Sequence, residues 1–134
     1  MTQMSLYLDY YWQAVILHHG SIGTGFNPIT SHSRRVNTFY KPLLIYQKPP
    51  KQRQADYFDD LIRGSGIQKG LHPWQQSAEE LKPIIEAFTS VNSVVLDPFC
   101  GSATTATVCC ELARKCISID IDSSCIKKAK KRIT

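Results

Sequence analysis

The sequence predicts an α/β fold in which helices flank a parallel sheet. In the second half of the chain, two short apolar runs at residues 94–96 and 116–119 alternate with segments of helical periodicity. The connections between them are short, which favours strand–helix–strand units with parallel strands. The length of 134 residues and a hydrophobic fraction of 43% suit one domain with a real core.

The first part of the chain has the composition of extended structure. Residues 11–17 are rich in aromatic and β-branched side chains, which is typical of a strand. Residues 18–37 contain several glycines and polar residues and are expected to form a long loop. Residues 42–46 form a short apolar run that we expect to be a buried strand, so the two strands would form a hairpin around a basic, glycine-rich loop.

The second part predicts three helices and two strands. The Ser77-x-x-Glu80 pattern is typical of a helix start, and Pro83 predicts a kink or a late start of that helix. The strand at residues 94–96 should be followed by a helix over 104–114. The strand at 116–119 should be followed by a last helix capped by Ser123. A proline-rich polar stretch separates the two parts, which predicts a single domain with a hairpin region at 1–47, a linker at 48–56 and a ligand-binding half at 57–134.

Cysteine content and apolar runs exclude several protein classes. Five cysteines, an odd number, all lie in the last 35 residues and form no CxxC pair, which argues against a disulfide framework and a structural zinc site. We expect them to act mainly as small buried hydrophobic residues. No apolar run approaches the roughly 18 residues of a membrane helix, and no secretory signal is evident. These features predict a soluble, cytoplasmic protein without a metal site.

Charge is unevenly distributed along the chain. The net charge is +5, and no acidic residue occurs between Asp9 and Asp56. Arg34, Arg35 and Lys41 lie in this acid-free stretch, which suits contact with a polyanion such as nucleic acid. A merely solvated basic surface explains the same pattern equally well, so both interpretations remain open. The terminal lysine-rich cluster is expected to be the solvated face of a helix.

The most informative segment begins where the strand at 94–96 ends. Asp97 follows the strand, and a turn of small residues then leads into a helix, an arrangement that lets a ligand approach the backbone beyond the carboxyl ends of the strands. Asp120 follows the next strand, 23 positions later, where a carboxylate can accept hydrogen bonds from ribose hydroxyls. The chain lacks the dinucleotide and Walker glycine patterns. A nucleoside cofactor other than NAD or ATP is therefore indicated, with S-adenosylmethionine the leading candidate.

This segment resembles the S-adenosylmethionine motif of DNA methyltransferases that modify amino groups, D-P-F-x-G-S-G-T-T. The chain has D-P-F-C-G-S-A-T-T at residues 97–105, so Ala103 replaces the second glycine. His72 and its neighbours resemble the H-P-x-Q segment of the same family. The resemblance implies a Rossmann-like methyltransferase fold and the activity of methylating adenine N6 or cytosine N4 in DNA, as in restriction–modification systems. The cofactor-binding residues it implies are Asp97, Pro98, Phe99, Gly101, Ser102, Thr104, Asp120 and His72.

One motif of that family is missing from the chain. The family's catalytic tetrapeptide, [DNS]-P-P-[YFW], holds the target amino group and stacks on the flipped base. The only Pro-Pro pair, Pro49-Pro50, is flanked by lysines, so no catalytic residue can be assigned. The chain therefore resembles the C-terminal portion of such an enzyme, with an incomplete sheet whose apolar edge would pair with a second copy or a partner chain.

Two other interpretations remain open at this stage. A non-catalytic module of the same descent would bind the cofactor, DNA or a partner that supplies the catalytic strand. A nucleotide-binding regulatory domain of unrelated chemistry would bind a different nucleoside and show no preference for S-adenosylmethionine.

Overall fold

The chain forms two compact units, Met1–Gly64 and Ser65–Thr134. The structure is a computed structural model that describes residues 6–18, 29–31, 33–50, 57–64 and 77–133. The elements of the first unit are β1 (Asp9–Leu17), β2 (Ile29–Ser31), β3 (Val36–Thr38), β4 (Tyr40–Gln47) and β5 (Leu61–Arg63). Those of the second unit are α1 (Ala78–Phe88), β6 (Val94–Asp97), α2 (Thr104–Glu111), β7 (Lys115–Ser118) and α3 (Ser123–Ile133).

The first unit is built around a three-stranded sheet in the order β4-β1-β5. The predicted hairpin is confirmed, because β1 and β4 pair antiparallel from Asp9 opposite Gln47 to Leu17 opposite Tyr40. The strand β5 pairs parallel to β1 on its other side, which the sequence did not suggest because β5 has only three residues. Ala14, Ile16 and Ile62 are the buried apolar side chains of this sheet.

The chain forms a second, small hairpin in the segment that connects β1 to β4. The strands β2 and β3 pair antiparallel, with Ile29 opposite Thr38 and Ser31 opposite Val36. The expectation of a loop over all of residues 18–37 is therefore wrong for this part of the segment. Each strand has only three residues, too few for a periodic pattern to emerge among the polar ones. Arg35 has a φ of 51° within the turn that joins them.

The second unit confirms the predicted strand–helix–strand arrangement. The strands β6 and β7 pair parallel, with Val95 opposite Cys116. Ile85 of α1 and Val108 and Cys109 of α2 form a buried cluster, against which Val95 and Cys116 pack from the sheet. The helices α1 and α2 thus cover the face of the sheet that carries the side chains of Val95 and Cys116.

The helix ends differ from the sequence-based expectation in three places. Ser77 stands at the N-cap of α1, but its side chain makes no capping hydrogen bond, and the helix begins at Ala78 despite Pro83. The helix α2 ends at Glu111 rather than at residue 114. There Ala113 has a φ of 57°, and the N–H of Arg114 donates to the carbonyl of Cys109 at 2.7 Å. This is a Schellman ending in which alanine takes the place usually held by glycine, so no sequence signal marked it.

The third difference concerns the start of α3. The carboxylate of Asp122, not the side chain of Ser123, caps this helix, because it accepts the backbone N–H of Ser124 at 2.7 Å and the hydroxyl of Ser124 at 2.8 Å. These hydrogen bonds to the Ser124 backbone and side chain lower the pKa of Asp122. Aspartate at this position is among the strongest N-caps, since it also complements the helix dipole.

The opposite face of the β6–β7 sheet is apolar and open. Val94 and Leu96 are each 59% exposed, and Ile117 and Ile119 are 53% and 51% exposed. Strands of parallel sheets are normally covered on both faces. Within the described ranges, β6 pairs with β7 alone, so its other edge has no partner strand there, in agreement with the prediction of an incomplete sheet. No helix among the described residues is long and apolar enough to cross a membrane.

Candidate functional site

The candidate site lies at the carboxyl ends of β6 and β7. Asp97 is the last residue of β6, and its carbonyl accepts the N–H of Ile119 at 2.8 Å. The carbonyl of Ile119 in turn accepts the N–H of Cys100 at 2.9 Å. These two backbone bonds extend the pairing of the strands beyond the sheet, and they fix the loop after β6 beside the residues that follow β7.

The side chain of Asp97 shapes the turn that follows it. Its Oδ1 atom accepts the N–H of Phe99 at 3.1 Å, which is an Asx-turn. The turn leaves Pro98 exposed, and Phe99 is 87% exposed. The structure thus gives Asp97 a local structural role, and the sequence-based prediction that it borders a ligand stays a prediction.

Asp120 is the residue that joins the two loops of the site. Its Oδ2 atom accepts the N–H of Gly101 at 2.8 Å, and its Oδ1 atom accepts the N–H of Asp122 at 2.9 Å. A carboxylate has about four lone-pair positions, so these bonds leave capacity for further donors. The carboxylate is therefore oriented by backbone contacts while still able to accept hydrogen bonds from hydroxyl groups.

The loop from Gly101 to Thr104 contains two residues in the left-handed region. Gly101 has a φ of 48°, and, apart from Gly101 and its two chain neighbours, no described residue has an atom within 4 Å of the position that a Cβ would occupy there. Ala103 has a φ of 61° and is the N-cap of α2. A non-glycine residue in this conformation carries strain on the order of 1–2 kcal/mol.

The methyl group of Ala103 faces the interior of the protein. Ala103 is fully buried and packs in one cluster with Ala106 of α2 and Ala129 of α3. The side chain that replaces the family's second glycine therefore fills space between helices. Open space beside the backbone is found at Gly101 instead.

The side chains of Ser102 and Thr104 are buried in the same loop. Their hydroxyl oxygens lie 3.4 Å apart. Arg132 of α3 donates from Nη1 to the carbonyl of Ser102 at 2.8 Å and to Oγ1 of Thr104 at 3.3 Å. No sequence pattern assigns Arg132 a role, because this residue lies 30 positions from Ser102 within a run of basic residues.

The cysteines of this unit are all free thiols. Burial raises the pKa of Cys109 to about 11, with a further contribution from the neighbouring Cys116. Burial also raises the pKa of Cys100 beside the site, and the charges of Asp120 and Asp97 add to it. The expectation of small buried side chains is confirmed for Cys100 and Cys109, whereas Cys110 is exposed. The described residues contain no cluster of potential ligands able to hold a metal ion.

The remaining predicted residues belong to the first unit or fall outside the described residues. His72, with the rest of the H-P-x-Q segment, lies outside the described residues. Arg34 and Arg35 are exposed in the first unit, and Lys41 is half-buried in β4 opposite Ile16. The first unit also holds a pocket of about 620 Å³. It is lined by Tyr11, Trp12, Tyr57, Phe58, Asp59, Asp60, Leu61 and Arg63, and none of these was predicted as a site residue.

Comparison with known protein families identifies one match. Residues 46–131 match the model of the DNA methylase family of the N6/N4 type. The chain is 42% identical to the type II methyltransferase M2.DpnII of Streptococcus pneumoniae, over 80% of this chain and 47% of that protein. It is 41% identical to M2.LlaDCHI of Lactococcus lactis subsp. cremoris, over 62% of this chain and 31% of that protein. The chain therefore spans less than half the length of these relatives.

Solved structures show the same likeness at the level of the fold. The complex of M1.HpyAVI with S-adenosylmethionine superposes with a TM-score of 0.70 at 26% identity, covering 98% of this chain and 65% of that one. The cytosine-N4-specific PvuII DNA methyltransferase gives a TM-score of 0.74 at 17% identity, covering 95% of this chain and 52% of that one. The predicted Rossmann-like methyltransferase fold is thus confirmed, as part of a larger domain.

Proposed function

The chain belongs to the N6/N4 DNA methylase family, and we propose that its second unit is the S-adenosylmethionine-binding portion of a DNA amino-methyltransferase. The observation that carries this proposal is the geometry of Asp120. Its carboxylate holds the N–H groups of Gly101 and Asp122, and it stands beside a loop with open space at Gly101. An oriented carboxylate at this place can accept hydrogen bonds from ribose hydroxyls, and the backbone at Gly101 permits close approach of a ligand.

The residues of the site divide the work of binding between them. Asp120 would accept hydrogen bonds from the ribose hydroxyls with its remaining lone pairs. Asp97, Pro98, Phe99 and Gly101 would border the cofactor. The buried side chains of Ser102 and Thr104 would keep the loop in shape, and His72 is proposed to border the methionine part by the family resemblance. When bound, the cofactor supplies an electrophilic methyl group, and the protein's task is to align it with the acceptor.

The proposed acceptor is the exocyclic amino group of a DNA base, adenine N6 or cytosine N4. The chain's sequence contains no [DNS]-P-P-[YFW] tetrapeptide to hold that amine. We therefore propose that this motif is supplied by a separate stretch of polypeptide that pairs with the free edge of β6. The apolar face formed by Val94, Leu96, Ile117 and Ile119 would be covered in the same association, because exposed aliphatic side chains of a parallel sheet favour burial.

The proposed DNA contact of the first unit rests on its charge. Arg34 and Arg35 are exposed, Lys41 lies in the neighbouring β4, and the segment contains no acidic residue. Each phosphate contact that is lost should reduce the slope of log affinity against log salt by about one. Replacing Arg34 and Arg35 together by methionine should lower this slope by about two, whereas Lys127→Met and Lys128→Met on α3 should leave it unchanged. An unchanged slope in the arginine variant would assign these residues to a solvated surface.

We also propose a cytoplasmic location for the protein, because its proposed substrate is DNA.

Methyl transfer tests the function as a whole. The chain would be mixed with a separately produced segment of a related methylase that carries the catalytic tetrapeptide, together with DNA and tritiated S-adenosylmethionine. Incorporation of label into DNA only when both polypeptides are present is the expected result. A matched segment in which the tetrapeptide's first residue is alanine serves as the control. Absence of label in the mixture, despite demonstrated association of the two polypeptides, would contradict the proposal.

A further inference from the structure

We infer that Arg132 is a positioning residue that holds the Gly101–Thr104 loop in the conformation needed for cofactor binding. This inference rests on the proposed binding of S-adenosylmethionine and deepens it. Arg132 is remote from the loop in sequence, but Nη1 of its guanidinium reaches both the carbonyl of Ser102 at 2.8 Å and the hydroxyl of Thr104 at 3.3 Å. These hydrogen bonds join α3 to the loop.

The packing of α3 brings Arg132 to this position. Ala129 lies one turn before Arg132, on the same face of the helix, and packs against Ala103 and Ala106. Three alanines at one contact allow the helix and the loop to approach closely. The guanidinium of Arg132 therefore reaches the loop from a helix whose position is already fixed by the adjacent turn.

The loop needs such a support because its backbone conformation is strained. Ala103 has a φ of 61°, a conformation that a non-glycine residue retains only when its surroundings enforce it. The carbonyl of Ser102, which Arg132 binds, belongs to the peptide group directly before Ala103. A hydrogen bond from a charged donor fixes the orientation of this peptide, and it stabilises more than a bond between neutral groups would.

Arg132 and Asp120 hold the loop from two sides. Asp120 accepts the N–H of Gly101 at 2.8 Å, while Arg132 donates to the carbonyl of Ser102. Gly101 and Ser102 thus each have one backbone group held by a charged side chain. Asp120, which follows β7, holds the N–H of Gly101, and Arg132 of α3 holds the carbonyl of Ser102. The open space at Gly101, where the cofactor would approach, lies between these attachments in the sequence.

Hydrogen exchange of the cofactor-free chain tests the positioning role directly. In Arg132→Met, the amide protons of Gly101 and Ala103 should exchange about tenfold faster, because the charged hydrogen bonds from Arg132 to the loop are lost. The amide protons of α1 should keep their wild-type rates. Lys128→Met, which removes an exposed cation from the same helix, is the matched control and should change neither set. Unchanged exchange at Gly101 and Ala103 in Arg132→Met would overturn the inference.

Cofactor affinity separates positioning from general stability. Arg132→Met should weaken S-adenosylmethionine binding about tenfold, and Arg132→Lys should restore part of the affinity because its ammonium can still reach one acceptor. Ile85→Val lowers the stability of the same unit through its core without touching the loop, so its affinity should match the wild type. An equal loss of affinity in Ile85→Val would overturn the inference. If the wild-type chain binds no cofactor, the proposed function fails, while the exchange experiment still decides the role of Arg132.

Discussion

Replacing Gly101 by alanine should destabilise the chain by backbone strain alone. Gly101 has a φ of 48°, a region that glycine adopts freely and alanine does not. Apart from Gly101 and its two chain neighbours, no described residue has a heavy atom within 4 Å of the added Cβ, so the new methyl group meets no steric obstacle among them in the cofactor-free chain. The substitution thus isolates conformational strain from packing.

The expected magnitude follows from two opposing effects. Left-handed backbone costs an alanine about 1–2 kcal/mol in the folded state. Alanine also restricts the unfolded chain more than glycine does, which favours folding by about 0.4–1 kcal/mol. The difference predicts a loss of about 1 kcal/mol in the free energy of unfolding. For cofactor binding we expect a larger effect, because the methyl group would occupy the space proposed for the ligand.

Urea denaturation and cofactor titration measure the two effects. The midpoint of unfolding should decrease in Gly101→Ala while the m-value stays unchanged. Ala103→Gly is the matched control: it relieves strain but removes a buried methyl group and gives the unfolded chain more freedom, so its stability should change by less than about 1 kcal/mol. A loss above about 3 kcal/mol in Gly101→Ala would mean that the methyl group clashes, and it would refute the reasoning. Cofactor affinity in Gly101→Ala equal to that of the wild type would also refute the reasoning.

Three further predictions concern other residues of the second unit. Burial raises the pKa of Cys109 from 9.0 to about 11, so folding favours its neutral thiol. The wild type should therefore lose stability relative to Cys109→Ala as the pH rises from 9.0 to about 11. Urea midpoints that change with pH in the same way in both proteins would contradict this. Arg114 donates to Oγ1 of Thr89 at 3.1 Å and to its carbonyl at 2.9 Å, so Arg114→Met should lower the free energy of unfolding by about 2 kcal/mol, whereas the exposed Lys115→Met should not. Asp120→Asn places an amide donor against one of the two backbone N–H groups that the carboxylate accepts. It should lower the free energy of unfolding of the cofactor-free chain by about 1–2 kcal/mol. Thermal unfolding identical to that of the wild type would show that these hydrogen bonds contribute nothing.

The main elements of the second unit could be predicted because their signals are local. The strands Val94–Asp97 and Lys115–Ser118 contain short apolar stretches, and the small residues after Asp97 mark a turn into a helix. The position of Asp120 at the end of the next strand places it at the same edge of the sheet, since parallel strands end together. Spacing along the chain was therefore enough to place Asp120 at the same edge of the sheet as the loop after Asp97, whereas its hydrogen bond to Gly101 is known from the structure.

The features that were missed depend on contacts between distant residues or on unusual backbone. Arg132 looks like one more cation in a basic helix until the packing of Ala129 brings it to the loop. The end of α2 was misplaced because Ala113 adopts a conformation that usually signals itself by glycine. The three-residue strand β5 is recognisable only through its pairing with β1. For Arg132 and β5 the deciding interaction is tertiary, and no periodic pattern records it.

Binding of S-adenosylmethionine to the purified chain tests the central claim most directly. In calorimetric titrations with S-adenosylmethionine and S-adenosylhomocysteine, we expect saturable binding to the wild type. We expect that binding to be lost in Asp120→Ala, because the variant lacks the carboxylate that holds the loop and accepts the ribose hydroxyls. Absence of wild-type binding at millimolar ligand, or affinity that is the same in Asp120→Ala, would contradict a cofactor site at the ends of β6 and β7.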